Sequence, residues 1–165
     1  MDKNTISIEI NKPINLVFEY TTNPINTPKW IPSILKEKAE GKIGIGTIYS
    51  QKTTTGQNAL VITGFIKNKQ LDFHEVNSLY TCSYRYKKSA KGTILTYSEE
   101  NGVGGKIKDP MKTKNLQLLK KLIEEWFQLY DFIGQLKVEP RNNKEGSQMV
   151  TKCNRLKLLA EDGKF

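Results

Sequence analysis

The chain has 165 residues, enough for one domain with a real core and too few for two comfortable ones. Hydrophobic residues make up 37%, mean hydropathy is −0.54, no apolar run reaches the length of a bilayer span, and the polar start Met1-Asp2-Lys3-Asn4 has no apolar export signal. The distant cysteines Cys82 and Cys153 and the single histidine, His74, exclude a disulfide scaffold and an ordinary zinc site. The expectations are therefore no metal, no cofactor, reduced thiols and a cytoplasmic setting. The net charge of +9 is read as a lysine-rich surface rather than a designed nucleic-acid patch.

The first element is a half-buried strand. Ile6, Ile8 and Ile10 share one face, and Ser7 and Glu9 the other. Pro13 then opens a helix whose buried side carries Ile14, Val17 and Phe18. Pro24, Pro28 and Pro32 cut the next stretch into short turns, with Trp30 held among them as a lid or a plug. Residues 33–41 form a second strand, followed by a turn through Gly41, Gly44 and Gly46. Residues 47–54 make a third strand. Residues 59–66 make a fourth, with Val61, Thr63 and Phe65 on one face and Leu60, Ile62 and Ile66 on the other. Strands over 71–76, 80–88 and 93–100 follow, separated by turns about every ten residues, the rhythm of an antiparallel meander.

After a glycine loop over 101–105, a long amphipathic helix runs from about residue 112 to 130. Its stripe is Leu116, Leu119, Ile123, Trp126 and Tyr130, widened by Leu118, Leu122 and Leu129. A sheet completed before one long helix gives that helix one task, to lie across the sheet. A curved sheet gripping a helix tends to leave a hollow between them. Residues 137–147 read as a linker, and 149–160 as a mobile tail or one further amphipathic helix.

Several features in this order carry a resemblance: the strand into Ile10-Asn11-Lys12-Pro13 with Val17-Phe18; Asn23-Pro24, with Asn where Asp is usual; Trp30-x-Pro32; Gly44-x-Gly46-Thr47; Gly92-Thr93; and the final helix. Together they resemble the START-like helix-grip superfamily, in particular its polyketide cyclase/dehydrase and lipid-transport family, over residues 3 to about 133. The resemblance implies an α+β fold: a curved antiparallel sheet of about seven strands gripping a long C-terminal helix, with two short helices after the first strand. It implies a cavity between sheet and helix, with residues 134–165 as an extension. That family holds ligand binders and cyclases alike, so fold does not settle function.

The residues narrow the chemistry. Phe65, Phe73, Tyr84, Leu95 and Tyr97, with Leu119, Ile123, Trp126 and Tyr130, are the expected walls of a site for a small apolar or aromatic ligand. The tyrosines serve equally as pocket walls or as plain sheet core. Glu99, beside Tyr97, is a candidate to fix a ligand's polar end or to act with Tyr97 as an acid/base. The bland alternative is an edge carboxylate paired with a lysine. His74 is expected to point to solvent if Phe73 points inward. The run Gly102-x-Gly104-Gly105-Lys106 fails as a phosphate loop and reads as a flexible gate. Lys106, Lys108, Lys112 and Lys114 lack interleaved aromatics. Nucleic acid is therefore disfavoured, and transient contact with an anionic membrane fits these lysines better. Nothing in the sequence specifies an oligomeric state.

Overall fold

The computed structural model describes residues 2–136. The elements run β1 (Asp2–Ile10), α1 (Ile14–Thr22), α2 (Thr27–Trp30), β2 (Ile34–Ala39), β3 (Ile48–Thr53), β4 (Gly56–Ile66), β5 (Gln70–Glu75), β6 (Thr81–Lys88), β7 (Thr93–Asn101) and α3 (Thr113–Leu136). The strands form one antiparallel sheet of seven, in the order β1-β7-β6-β5-β4-β3-β2. This is the helix-grip (START-like) architecture. One compact unit comprises residues 1–124, and a second begins at Glu125, inside α3. The linker and helix expected after residue 136 lie outside the described residues.

Register decides which side chains share a face, because directly opposed residues point the same way. Ile6 opposes Tyr97, Tyr97 opposes Tyr84, and Tyr84 opposes Leu71. Glu99 opposes Cys82, Cys82 opposes Phe73, and Phe73 opposes Ile62. At the far end Glu37 opposes Gln51, and Gln51 opposes Asn58. This face is buried at its centre and carries the aromatic residues. The other carries hydroxyls and charges: Thr5 with Ser98 at 3.1 Å, Ser7 with Thr96 at 2.8 Å, and the Arg85–Asp72 ion pair. One packed and one solvated face is what an antiparallel sheet permits.

A bulge corrects the expected alternation in β4. Pairing shifts between Ile62 and Gly64, so that Phe65 opposes Leu71 and Ile66 opposes Gln70. The extra residue moves Phe65 onto the same face as Leu60 and Ile62, while Ile66 turns out and is exposed. Gly64 leaves the space the bulge needs: a Cβ there would lie 2.3 Å from Asp72 Oδ2.

The turn motifs have physical roles. Gly92 has φ +154°, and a Cβ at this position would come within 2.3 Å of Ile10 O, so only glycine lets the β6–β7 turn approach the end of β1. Thr93 then donates to Lys12 O at 2.8 Å, fastening that turn to the start of α1. Asn23 Oδ1 accepts the Ile25 N–H at 3.1 Å, the turn-forming bond that an Asp would also make. Residues 27–30, within the proline-cut stretch, close into the single helical turn of α2, the second of the two short helices expected after the first strand. Within α3, Leu116, Leu119 and Ile123 are buried as the stripe requires, whereas Leu118 is exposed and leaves it. Lys120 Nζ donates to Glu9 O at 2.8 Å, and Glu124 accepts the Asn11 N–H at 2.8 Å, so the polar side of the helix is stitched to β1.

Candidate functional site

The buried face of the sheet is organised around one ring. Tyr84 meets Trp30, Phe73 and Tyr97 edge to face, at centroid separations of 6.5, 6.3 and 5.0 Å, and Phe73 meets Tyr49 at 5.1 Å. Edge-to-face packing is the favoured geometry of such pairs. A second group lies at the α1 end, where Phe18 contacts Phe65 at 5.6 Å and Tyr86 at 5.0 Å. Of the walls expected from sequence, Phe73, Tyr84 and Tyr97 are thus brought together, and Phe65 belongs to the second group. Leu95, Leu119 and Ile123 are fully buried. The side chains of Trp126 and Tyr130 lie outside the described residues. Trp30 is 1% exposed and plugs the hub from α2.

Two carboxylates are buried on this face. Glu99, 4% exposed, accepts four hydrogen bonds. Its Oε1 takes Asn4 Nδ2–H at 2.8 Å and the Met111 N–H at 2.6 Å. Its Oε2 takes the hydroxyls of Tyr80 at 2.7 Å and Tyr97 at 3.1 Å. A carboxylate has about four acceptor positions, so Glu99 is filled. Its partners are neutral groups of β1, β7, the segment before β6 and the approach to α3; the lysine envisaged as its partner is replaced by amide, hydroxyl and peptide donors. Asn4 also donates to Met111 O at 2.8 Å, closing the network.

Glu37, 6% exposed, sits at the other end of the face. Its Oε2 accepts Thr27 Oγ1–H at 2.5 Å and its Oε1 accepts Gln51 Nε2–H at 2.5 Å. Burial pushes its carboxyl above the usual range, against the opposing pull of those two bonds. Sequence reasoning did not single out this group: it lies between Lys36 and Lys38, and its partners lie 10 and 14 residues away.

The remaining titratable groups describe a desolvated interior. Burial raises the hydroxyls of Tyr84 and Tyr97 well above the ordinary tyrosine range and pushes the Cys82 thiol up to about 12. Cys82 is therefore a neutral packing group rather than a nucleophile. His74 lies half-buried on the other face, with Nε2 at 2.8 Å from Ser78 O. It borders two open hollows. One of about 570 Å³ lies between the β5–β6 turn and the β7–α3 loop, lined by Leu79 and Val103 among others. The other, about 520 Å³, lies over polar residues that include Thr5, Asp72, Arg85 and Ser98. Among the described residues no group of three or more His, Cys, Asp or Glu is placed to hold a metal ion, and no helix is long and apolar enough to cross a membrane.

No protein-family model and no curated protein matches this sequence. Solved structures do match its fold. The XoxI protein from Bacillus cereus superposes with a TM-score of 0.61 at 14% identity, covering 77% of this chain and 99% of that one. A structural-genomics target protein from Nitrosomonas europaea gives 0.59 at 16% identity, covering 75% and 95%. An AHSA1-like protein from Aeromonas hydrophila gives 0.58 at 13% identity, covering 76% and 94%. At these identities the likeness is one of fold, and the fold is that of the helix-grip proteins.

Proposed function

We propose that this protein binds a small apolar or aromatic ligand against the aromatic face of its sheet, beneath the first turns of α3. The observation that supports the reading is the hub itself: Tyr84 and its three ring neighbours form a desolvated aromatic cluster on the buried face of the sheet, with the buried carboxylates Glu37 and Glu99 on the same face. Apolar walls with a small number of placed polar groups are the usual composition of a small-molecule site. The two open hollows are poorer candidates, because solvent competes for every contact they offer. The rings meet one another across the face, so a ligand enters by parting Trp30 from Tyr84. Each apolar Å² it then removes from water contributes about 25 cal/mol, enough for micromolar binding of a two-ring molecule without a charged contact.

The test is native mass spectrometry of the protein as purified, followed by denaturation and extraction, with thermal shifts across a panel of lipids and polycyclic aromatics. A co-purified small molecule, or a shift that Tyr84→Ala abolishes, is the expected result. A clean mass with no shift from any member of the panel contradicts the reading.

A further inference from the structure

Glu37 retains what Glu99 has spent. It accepts one hydrogen bond on each oxygen, leaving about two acceptor positions open. Among the described residues no ion pair includes it. Close by is a donor with the opposite need. Trp30 Nε1 is buried and has no hydrogen-bond partner among the described residues. Thr27 and Trp30 stand three residues apart on the single turn of α2, a spacing that sends both side chains to one side. Thr27 is bonded to Glu37, and Trp30 meets Tyr84. The Tyr84 hydroxyl is raised mainly by burial and in lesser part by surrounding groups that include Glu37. A buried donor without a partner among the described residues and a buried carboxylate with one bond on each oxygen are thus both linked to α2, one through Trp30 itself and the other through Thr27. Buried polar groups in folded proteins are nearly always paired, and each exception calls for an explanation.

We propose that Glu37 and Trp30 form the polar end of the ligand site and that the site takes a hydroxyl-bearing aromatic or apolar molecule, a phenol or an alcohol. This rests on the ligand-binding reading above. A hydroxyl both donates and accepts through one oxygen. Its O–H donates to Glu37, its oxygen accepts the Trp30 Nε1–H, and its apolar body lies against Phe73, Tyr84 and Tyr97. A bare hydrocarbon leaves both protein groups unanswered. A carboxylate ligand meets Glu37 as a like charge in a dry site, where repulsion is screened least. A site built to hydrogen-bond a hydroxyl rejects the analogue lacking it far more strongly than an apolar pocket rejects a missing methylene.

The test uses the full chain and three probes on one skeleton, naphthalene, 2-naphthol and 2-naphthoate, measured by titration calorimetry at neutral pH. The expected order is 2-naphthol tightest, by about tenfold or more over naphthalene, with 2-naphthoate weakest. Trp30→Phe keeps an aromatic ring and removes the N–H; it lowers 2-naphthol affinity by roughly five- to tenfold more than it lowers naphthalene affinity. Glu37→Gln removes the charge and raises 2-naphthoate affinity by about tenfold. Naphthalene binding as well as 2-naphthol overturns the polar end while the ligand site stands. Binding of none of the three overturns the polar end, and the panel of lipids and polycyclic aromatics then decides the ligand site. A wild-type preference for 2-naphthol that survives intact in both variants places recognition elsewhere and overturns the assignment. If a variant fails to fold, the wild-type order of the three probes decides alone.

Discussion

The two ends of the aromatic face bury the same chemical group in opposite circumstances. Glu99, on β7, is gripped by Asn4, Tyr80, Tyr97 and the Met111 N–H. Among the described residues Glu37, on β2, holds only Thr27 and Gln51, and the N–H of Trp30, on the same helical turn as Thr27, bonds to nothing. Burial alone therefore does not mark a functional carboxylate. In the proposed reading spare hydrogen-bonding capacity does, because a filled group has nothing left to offer a ligand. The Glu99 end is a strut: it ties β1, β7 and the segment before β6 to the approach to α3. The Glu37 end keeps open acceptor positions, and the N–H without a partner there is that of Trp30. The same distinction weighs on an acid/base role for Glu99 with Tyr97, since a proton transfer there would first have to break bonds that hold the sheet to the helix.

The comparison is broken most directly at the strut. Glu99→Gln turns an amide N–H₂ against buried donors and is expected to destabilise the fold by about 3 kcal/mol or more in urea unfolding; a loss below about 1 kcal/mol contradicts the strut. Tyr97→Phe removes one of the two hydroxyls on Glu99 Oε2 while Tyr80 remains, and is expected to cost about 1.5 kcal/mol. A near-zero cost would mean that the Tyr97 hydroxyl has another role.

Glu37→Gln sharpens the contrast from the other side. It is expected to change stability at neutral pH by less than about 1 kcal/mol, because the amide oxygen still accepts and no charge remains to be buried. Its effect has a pH signature. The folded Glu37 carboxyl lies above its ordinary value of 4.5 because it is buried. Between that value and the raised one, the folded chain keeps a proton that the unfolded chain has released, so this group's contribution to stability falls as pH rises through the window. Glu37→Gln lacks that slope. Its stability relative to wild type is expected to climb as pH rises above about 4.5, read from urea midpoints at several pH values. A flat difference contradicts a desolvated Glu37.

Much of the fold was legible because its signals are local. Ile6-Ile8-Ile10 alternate, Cys82-Tyr84-Tyr86 alternate, and Leu116, Leu119 and Ile123 fall at helical spacing; the last two sets are buried, and in the first Ile10 is buried while Ile6 and Ile8 are half-buried. Where the reading slipped, the cause was not local. The bulge at Ile62–Gly64 follows from the pairing of β4 with β5, and an even alternation of Val61, Thr63 and Phe65 gave no hint of it. Leu118 fits a widened stripe on paper, yet it lies on the side of α3 that turns to solvent. The candidate site was legible only in part. Aromatic strand residues announced a ring-lined face, whereas Glu37, between two lysines, was not singled out. Its burial depends on Thr27 and Gln51 arriving from two other elements, which no window of sequence contains.

The most direct test of the central claim is NMR of protein labelled with ¹³C at the glutamate carboxyl carbons, titrated with 2-naphthol. The account predicts that the Glu37 carboxyl resonance moves with ligand and saturates, while that of Glu99 stays in place. Movement of Glu99 with Glu37 unmoved, at ligand concentrations where binding is established by calorimetry, would contradict it.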